Sequence, residues 1–407
     1  MSYRAPLSVC GIALALCGPV PAAESDALSI SQNIQARHLP YGTILDPVLT
    51  PDGSQVASYT RCGDSANWTG HYLAAESFRY QVTRSADALD NVRRALAGLR
   101  FLADVTGSGL LARCAFPADS PYAQAMAGEE SSHGVYTAGV DGRAWLWIGD
   151  TSRDQYAGVF FGLGVAFDMV PDDQMRADAA ALASRLLAFL LDHAWTVVMP
   201  SGDISTTFLI RPDQQLALLQ VGRHLNVSRF GSSYSREAAA LAAGTPVPVG
   251  IDAADNRDSY FKFNLDEINL YSLLRLQGGG LTKLWYASAW DLVHGAVRGH
   301  GNAHFNMIDR ALHGTDAARD AETRSLLDAW LKRPRTDVYT DLRGRFPACG
   351  SPDQACQPVP VELRPATDFL WQRSPFQLVG GGSGTIEGAG IDYILPYWMA
   401  RYYGVVQ

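Results

Sequence analysis

Trp145–Asp168 reads WLWIGDTSRDQYAGVFFGLGVAFD: a knot of aromatic, acidic and basic side chains runs directly into a stretch that is almost wholly apolar or glycine. From about Arg153 this stretch predicts a helix, ended near Val170 by Pro171, which lacks the N–H that continuation needs. A surface helix keeps a polar face; this one has none, so it is covered on most sides. Gly158, Gly162 and Gly164 carry no side-chain bulk, which lets neighbouring helices approach at some cost in helix propensity. The polar residues therefore collect at the N-terminal mouth of a buried helix, where a helical scaffold would hold a site.

Working outward, Asp172 and Asp173 start a second helix reaching about Val198. In it Arg176, Asp178, Ser184 and Arg185 alternate with Met175, Leu182, Leu186 and Phe189. A buried helix followed by an amphipathic one is the pattern of a two-layer helical array. The rhythm continues more loosely, with helices expected over 205–225, 236–243, 258–276, 282–297, 304–312, 317–332 and 391–403. Upstream, Ser85–Gly107 places Leu89, Val92, Leu96, Leu99 and Leu102 on one stripe, and Gly107 stops it. Residues 24–83 show no sustained period and read as an irregular N-terminal segment. Residues 108–150 read as a long polar loop of the kind that forms lids or binding loops, and 334–375 as a Pro-rich excursion. No strand-period segment competes, so the expected class is all-α, with 84–407 as a single large domain carrying long loops.

This helix-pair rhythm, from about Ser85 to Gly404, resembles the (α/α)6 toroid of six-hairpin glycosidases and related polysaccharide lyases. The resemblance rests on architecture and on polar clusters preceding the apolar helices; it matches no family signature residue by residue. It implies a helical toroid whose site lies at the N-terminal ends of the inner helices, and a carbohydrate-active function.

The ends and the composition narrow the setting. Arg4, the apolar run Leu7–Leu16 and the small-residue exit Val20–Ala23 make residues 1–23 a secretory signal peptide, too short to span a bilayer. Leu16 before Cys17 argues against lipidation. Four cysteines then remain, and an oxidising compartment favours disulfides: Cys349–Cys356 closes a short loop, which leaves Cys62–Cys114. The spacings lack a CxxC pair or a flanking His, so zinc is disfavoured. The net charge of -8 comes with scattered basic residues and no basic stripe, which argues against nucleic acid as a partner. No other run is long and apolar enough to cross a membrane. The expected location is secreted or periplasmic.

Several clusters are candidates for chemistry. Trp147, Asp150, Arg153, Asp154 and Tyr156 come first; helix capping and the dipole explain one or two acidic residues there, but not Arg153 beside the positive helix end with two Trp and a Tyr. Glu130 and His133 in GEESSHG are a carboxylate and an imidazole just upstream. Asp258, Tyr260, Lys262 and Asn264 again precede an apolar helix, although Asp258 also fits as a cap. His300 and His304 in HGNAHFN have the i,i+4 spacing of metal ligands, but Gly301 and the missing third ligand argue against a metal. Near the C-terminus stand Trp371 and Glu387. The glycines of 380–384 are not a dinucleotide fingerprint and read as a loop, and neither a P-loop nor a Ser nucleophile elbow occurs, so no cofactor is expected.

The favoured expectation is an exported glycoside hydrolase acting on an oligo- or polysaccharide. Asp154 would pair with Glu130, Asp258 or Glu387 as acid and base or nucleophile. Trp147 and Trp371 would stack on sugar faces, and Arg153 and His304 would bind hydroxyl or carboxylate groups. Two alternatives stand beside it. One is a polysaccharide lyase using a His or Tyr base with Arg153 and Lys262 on a uronate; the other is a non-catalytic glycan-binding envelope protein.

Overall fold

The computed structural model describes residues 22–258 and 260–407. All but the last two residues of the export signal read in 1–23 lie outside the described residues. In chain order the elements are α1 (Glu24–Asn33), β1 (Asp46–Leu49), β2 (Val56–Thr60), α2 (Ser65–Thr83), α3 (Ala86–Asp104), β3 (Cys114–Pro117), α4 (Ala123–Glu129), β4 (Val135–Val140) and β5 (Arg143–Ile148). They continue with α5 (Arg153–Met169), α6 (Asp173–Asp192), β6 (Thr196–Val198), β7 (Ile204–Thr207), α7 (Pro212–Leu225), α8 (Val227–Leu241), α9 (Pro246–Ala254) and α10 (Phe261–Leu276). The last are α11 (Leu281–Val297), α12 (Ala303–His313), α13 (Ala317–Trp330), β8 (Thr336–Asp341), β9 (Ala348–Cys349), β10 (Ser351–Ala355), β11 (Val379–Glu387) and α14 (Ile391–Tyr402).

The expectation of an all-α helical toroid is corrected: the molecule is 56% helical with 13% strand, a mixed α/β chain. One antiparallel sheet runs β2-β1-β11-β8 and another β3-β5-β4, with the hairpins β6-β7 and β9-β10 beside them. These strands are short, and their faces are poorly contrasted. In β11, VGGGSGTIE, every residue is half-buried or exposed, so no apolar alternation marks it. Its Gly381 has φ +90, and a Cβ there would lie 2.2 Å from the Val338 carbonyl oxygen on β8. The glycines at 380–384 thus belong to a strand rather than to a loop.

Residues 24–83 are not irregular either, since they contain α1, the β1–β2 hairpin and α2. Helix α2 is buried without interruption from Ser65 to Arg79, so its sequence carries no polar stripe to betray it. The supposed loop over 108–150 is largely the β3-β5-β4 sheet with α4, and Trp145 and Trp147 lie on β5. The helix expected over 205–225 begins at Pro212, after β7, and the one expected over 236–243 begins earlier, at Val227.

The helices pack in sequence order: α2 on α5, α5 on α7, α7 on α10, α10 on α12, α12 on α14, and α14 back on α2. Helices α3, α6, α8, α11 and α13 each lie against the member of this circuit that precedes them. The closest approach is α2 against α5. A Cβ on Gly70 would sit 2.1 Å from the Gly158 carbonyl oxygen, and one on Gly162 would sit 2.3 Å from that of Gly70. Gly158 and Gly162 therefore do what their composition suggests. Gly164 has looser surroundings, its first neighbour being a Val221 methyl at 3.4 Å.

Cys62 and Cys114 form a disulfide, whereas Cys349 and Cys356 are free thiols among the described residues, in place of the second expected bridge. Among the described residues no helix is long and apolar enough to cross a membrane.

Candidate active site

The N-terminal ends of α2, α5 and α10 and the segment before α14 meet around a cavity of about 250 Å³. Asp64 enters from the turn before α2, Asp154 from the first turn of α5, Asn264 and the half-exposed Phe261 from α10, and Asp368, Gln372 and Arg373 from the final segment. Anionic groups at helix N-termini lie where the helix dipole favours them.

The two entry turns are fixed to each other. Arg113 donates from Nη1 to the Gly63 carbonyl (2.8 Å) and from Nε to the Asp150 carbonyl (2.9 Å), joining the turn before α2 to the turn before α5. The Cys62–Cys114 disulfide anchors the first turn two residues before Asp64. From the other side Glu130 accepts the Gly63 N–H (2.8 Å) and pairs with His133 Nδ1 (2.7 Å).

Asp64 is gripped by two side-chain amides. Gln155 Nε2 donates to its Oδ1 (3.0 Å) and Gln372 Nε2 to its Oδ2 (3.2 Å). Each amide is oriented by its own carbonyl oxygen, which accepts from the Asn67 N–H (3.0 Å) in Gln155 and from Trp68 Nε1 (3.1 Å) in Gln372. Burial, then the charges of Asp154 and Asp368, push the Asp64 carboxyl up to about 7. Each of its oxygens keeps a second lone pair for a proton. Burial likewise raises Asp368 to about 6 against the pull of Arg61 and Arg373. Asp154 accepts from the Ser152 hydroxyl and from the Gln155 N–H (3.1 Å).

Behind Asn264 lies a buried aromatic cluster. His71 donates from Nδ1 to the Asn67 carbonyl (3.0 Å), accepts from Asn264 Nδ2 (3.1 Å) and stacks on Trp371 at 5.0 Å. Its burial holds it at about 4, and burial with the nearby His71 also lowers His304 strongly. Both rings are therefore neutral at neutral pH. The buried His304 has no hydrogen-bond partner at either ring nitrogen among the described residues.

Of the residues singled out in the sequence, Asp154 and Asn264 line this cavity. The rest have other surroundings. Glu130 and His133 brace the Asp64 turn, as above. The exposed Asp258 accepts from Gln354 (2.6 Å), and Glu387 on β11 accepts from Asn33 (3.2 Å) beside Arg37. Trp147 is buried and stacked on Tyr136 at 4.4 Å, so it presents no open face to a sugar. Tyr156 is buried against Phe208, and Asp150 contributes its backbone carbonyl to Arg113. Arg153 turns to Thr206 and the Thr207 carbonyl, and Lys262 to Asp255 (3.3 Å). Tyr260 and His300 are buried and bond each other (3.2 Å). The set a lyase would need is thus dispersed.

The sequence does not single out Asp64 or Asp368. Asp64 had a signal, because it directly precedes SANWTGHYLAAESF, a run with the same lack of a polar face as α5. Asp368, in a stretch without regular structure, had none. No family model matches the chain, and no curated protein matches it.

Proposed function

We propose that this protein is an exported glycoside hydrolase in which Asp64 and Asp154 act as the carboxyl pair. The observation that carries this reading is the placement of both groups on one cavity, with Asp64 raised to about 7. Paired carboxyls with separated proton affinities are what glycosidic cleavage requires, one to protonate the leaving oxygen and one to activate water or attack. Asp64 keeps its proton to near neutrality and serves as the acid. Asp154, at the N-terminal turn of α5, serves as the base or nucleophile. Gln155 and Gln372 hold Asp64 in place. The Cys62–Cys114 disulfide accords with export to an oxidising compartment.

The test is incubation of the mature protein with neutral, cationic and uronic-acid glycans, following reducing ends together with the ultraviolet absorbance of unsaturated products. Hydrolysis releases reducing ends without new absorbance, and Asp64→Asn and Asp154→Asn abolish it. Absorbance rising with the reducing ends would mean elimination, and unchanged turnover in both variants would remove the pair from the chemistry.

A further inference from the structure

Paired-carboxyl cleavage uses two carboxyl groups, and the cavity holds three. The surplus one, Asp368, has a side chain 10% exposed; Arg373, 3.3 Å away, has 55% of its own side chain in solvent. The other cations nearby have their hydrogen-bond partners outside the cavity, while Arg113 also lies 3.9 Å from Asp64 and the charge of Arg61 also acts on Asp368. Arg61 pairs with Asp46 (3.0 Å), Arg113 holds two backbone carbonyls, Arg153 bonds Thr206 and Thr207, and Lys262 pairs with Asp255. The lining itself thus holds three carboxyls and one cation, Arg373. Asn264 also lines the cavity, being 2% exposed, with its amide N–H used on His71 and its buried Oδ1 without a partner among the described residues.

Size bounds the ligand as well. About 250 Å³ falls below the roughly 300–1,000 Å³ of pockets that enclose drug-sized molecules, and suits little more than one sugar ring. Phe261, half-exposed at the rim, offers an apolar ring face. A carboxylate entering this cavity would meet like charge, and juxtaposed like charges are strongly disfavoured. An ammonium would meet its complement.

Resting on the hydrolase reading, we infer that the cavity takes the terminal residue of a cationic amino-sugar glycan, with its ammonium group against Asp368, and rejects uronic-acid glycans. The test is calorimetric titration of the mature protein at low salt with three probes: a β-1,4 glucosamine tetramer, the matching glucose tetramer and a galacturonate tetramer. The glucosamine tetramer binds on the order of tenfold more tightly than the glucose one, an advantage that shrinks with added salt, and the galacturonate tetramer gives no heat. Asp368→Asn removes the preference. Arg373→Gln, at an exposed side chain that leaves the fold intact, increases it and carries the test if Asp368→Asn does not fold. Asp258→Asn makes the same charge change outside the cavity and leaves the preference alone.

Equal or tighter galacturonate binding, no glucosamine binding, or a preference that survives Asp368→Asn would overturn the inference. Carboxyl-dependent cleavage of an uncharged glycan without a glucosamine preference would overturn it while leaving the hydrolase reading standing. Glucosamine binding without cleavage of any glycan would do the reverse.

Discussion

Arg211 sits among Asp213, Asp252 and Asp266, and Arg373 sits beside Asp368 on the cavity that also holds Asp64 and Asp154. Both groups gather three aspartates close to arginine side chains. In the first the guanidinium reaches all three carboxylates, at 2.8, 2.5 and 2.7 Å, and its side chain is 11% exposed. In the second Arg373 touches one carboxylate from a solvent-exposed position, two glutamine amides hold Asp64, and Arg113 stands 3.9 Å from it. Similar residue types thus give a closed ionic lock in one place and a looser, more open cluster in the other. The difference lies in how fully a guanidinium engages the carboxylates, all three in the first group and one at a time in the second.

Substitutions should separate the two clusters along this line. The largest effect is expected for Asp64→Asn and Asp154→Asn, which lower kcat/KM for glycan cleavage by roughly 10²–10⁴-fold while circular dichroism stays native. Arg211→Ala strands Asp213 and Asp266, both fully buried, and should cost about 3–5 kcal/mol in urea unfolding. Arg373→Ala removes an exposed partner and should cost less than about 1 kcal/mol by the same measurement. If the two arginines proved equally costly, the contrast would fail.

A third test addresses the frame that both clusters hang on. Gly158→Ala would place a Cβ 2.1 Å from Asn67 Oδ1, next to the backbone that orients Gln155, and overpacking of this kind costs about 1–3 kcal/mol. Thermal unfolding measures it, and Gly164→Ala, with 3.4 Å to its first neighbour, is the mild control.

A further test concerns pH. Asp64 holds its proton to about 7 in the folded state, against 3.8 for an ordinary carboxyl, so between those values the folded chain binds more protons than the unfolded one. Its contribution to stability is therefore present at low pH and declines as pH rises toward about 7. Asp64→Asn should raise the unfolding temperature relative to wild type at about pH 8 and leave it unchanged at about pH 3. The same gain at both pH values would assign the effect to something other than this proton.

What could be read from the sequence depended on contrast between faces. Helix α5 was legible because Pro171 ended it and Asp154 stood at its start, and the helices α6, α11, α13 and α14 were placed within a few residues at one or both ends. Helix α2 was not, because a helix buried on every side has no amphipathic signature, and its Trp, Thr, Gly and Ser resemble a loop composition. The strands escaped for a related reason: β11 owes its pairing to glycines that let β8 approach, not to apolar alternation. At the site, Asp154 and Asn264 were legible as polar residues opening buried helices. Asp64 shared their pattern but was hidden with α2, and Asp368 reaches the cavity only through tertiary contact. Trp147 and Glu130 misled because nearness in sequence to the α5 mouth did not become nearness to the cavity; one packs into a sheet and the other supports a turn.

The account stands most directly on the proton held by Asp64. Carboxyl-carbon NMR titration of the full mature chain, assigned by comparison with Asp64→Asn, measures it without a substrate. The expected result is a midpoint of about 7 that moves down in Asp154→Asn and in Asp368→Asn, because each removes a like charge. A midpoint in the ordinary carboxylate range, or one that neither substitution moves, would contradict the account.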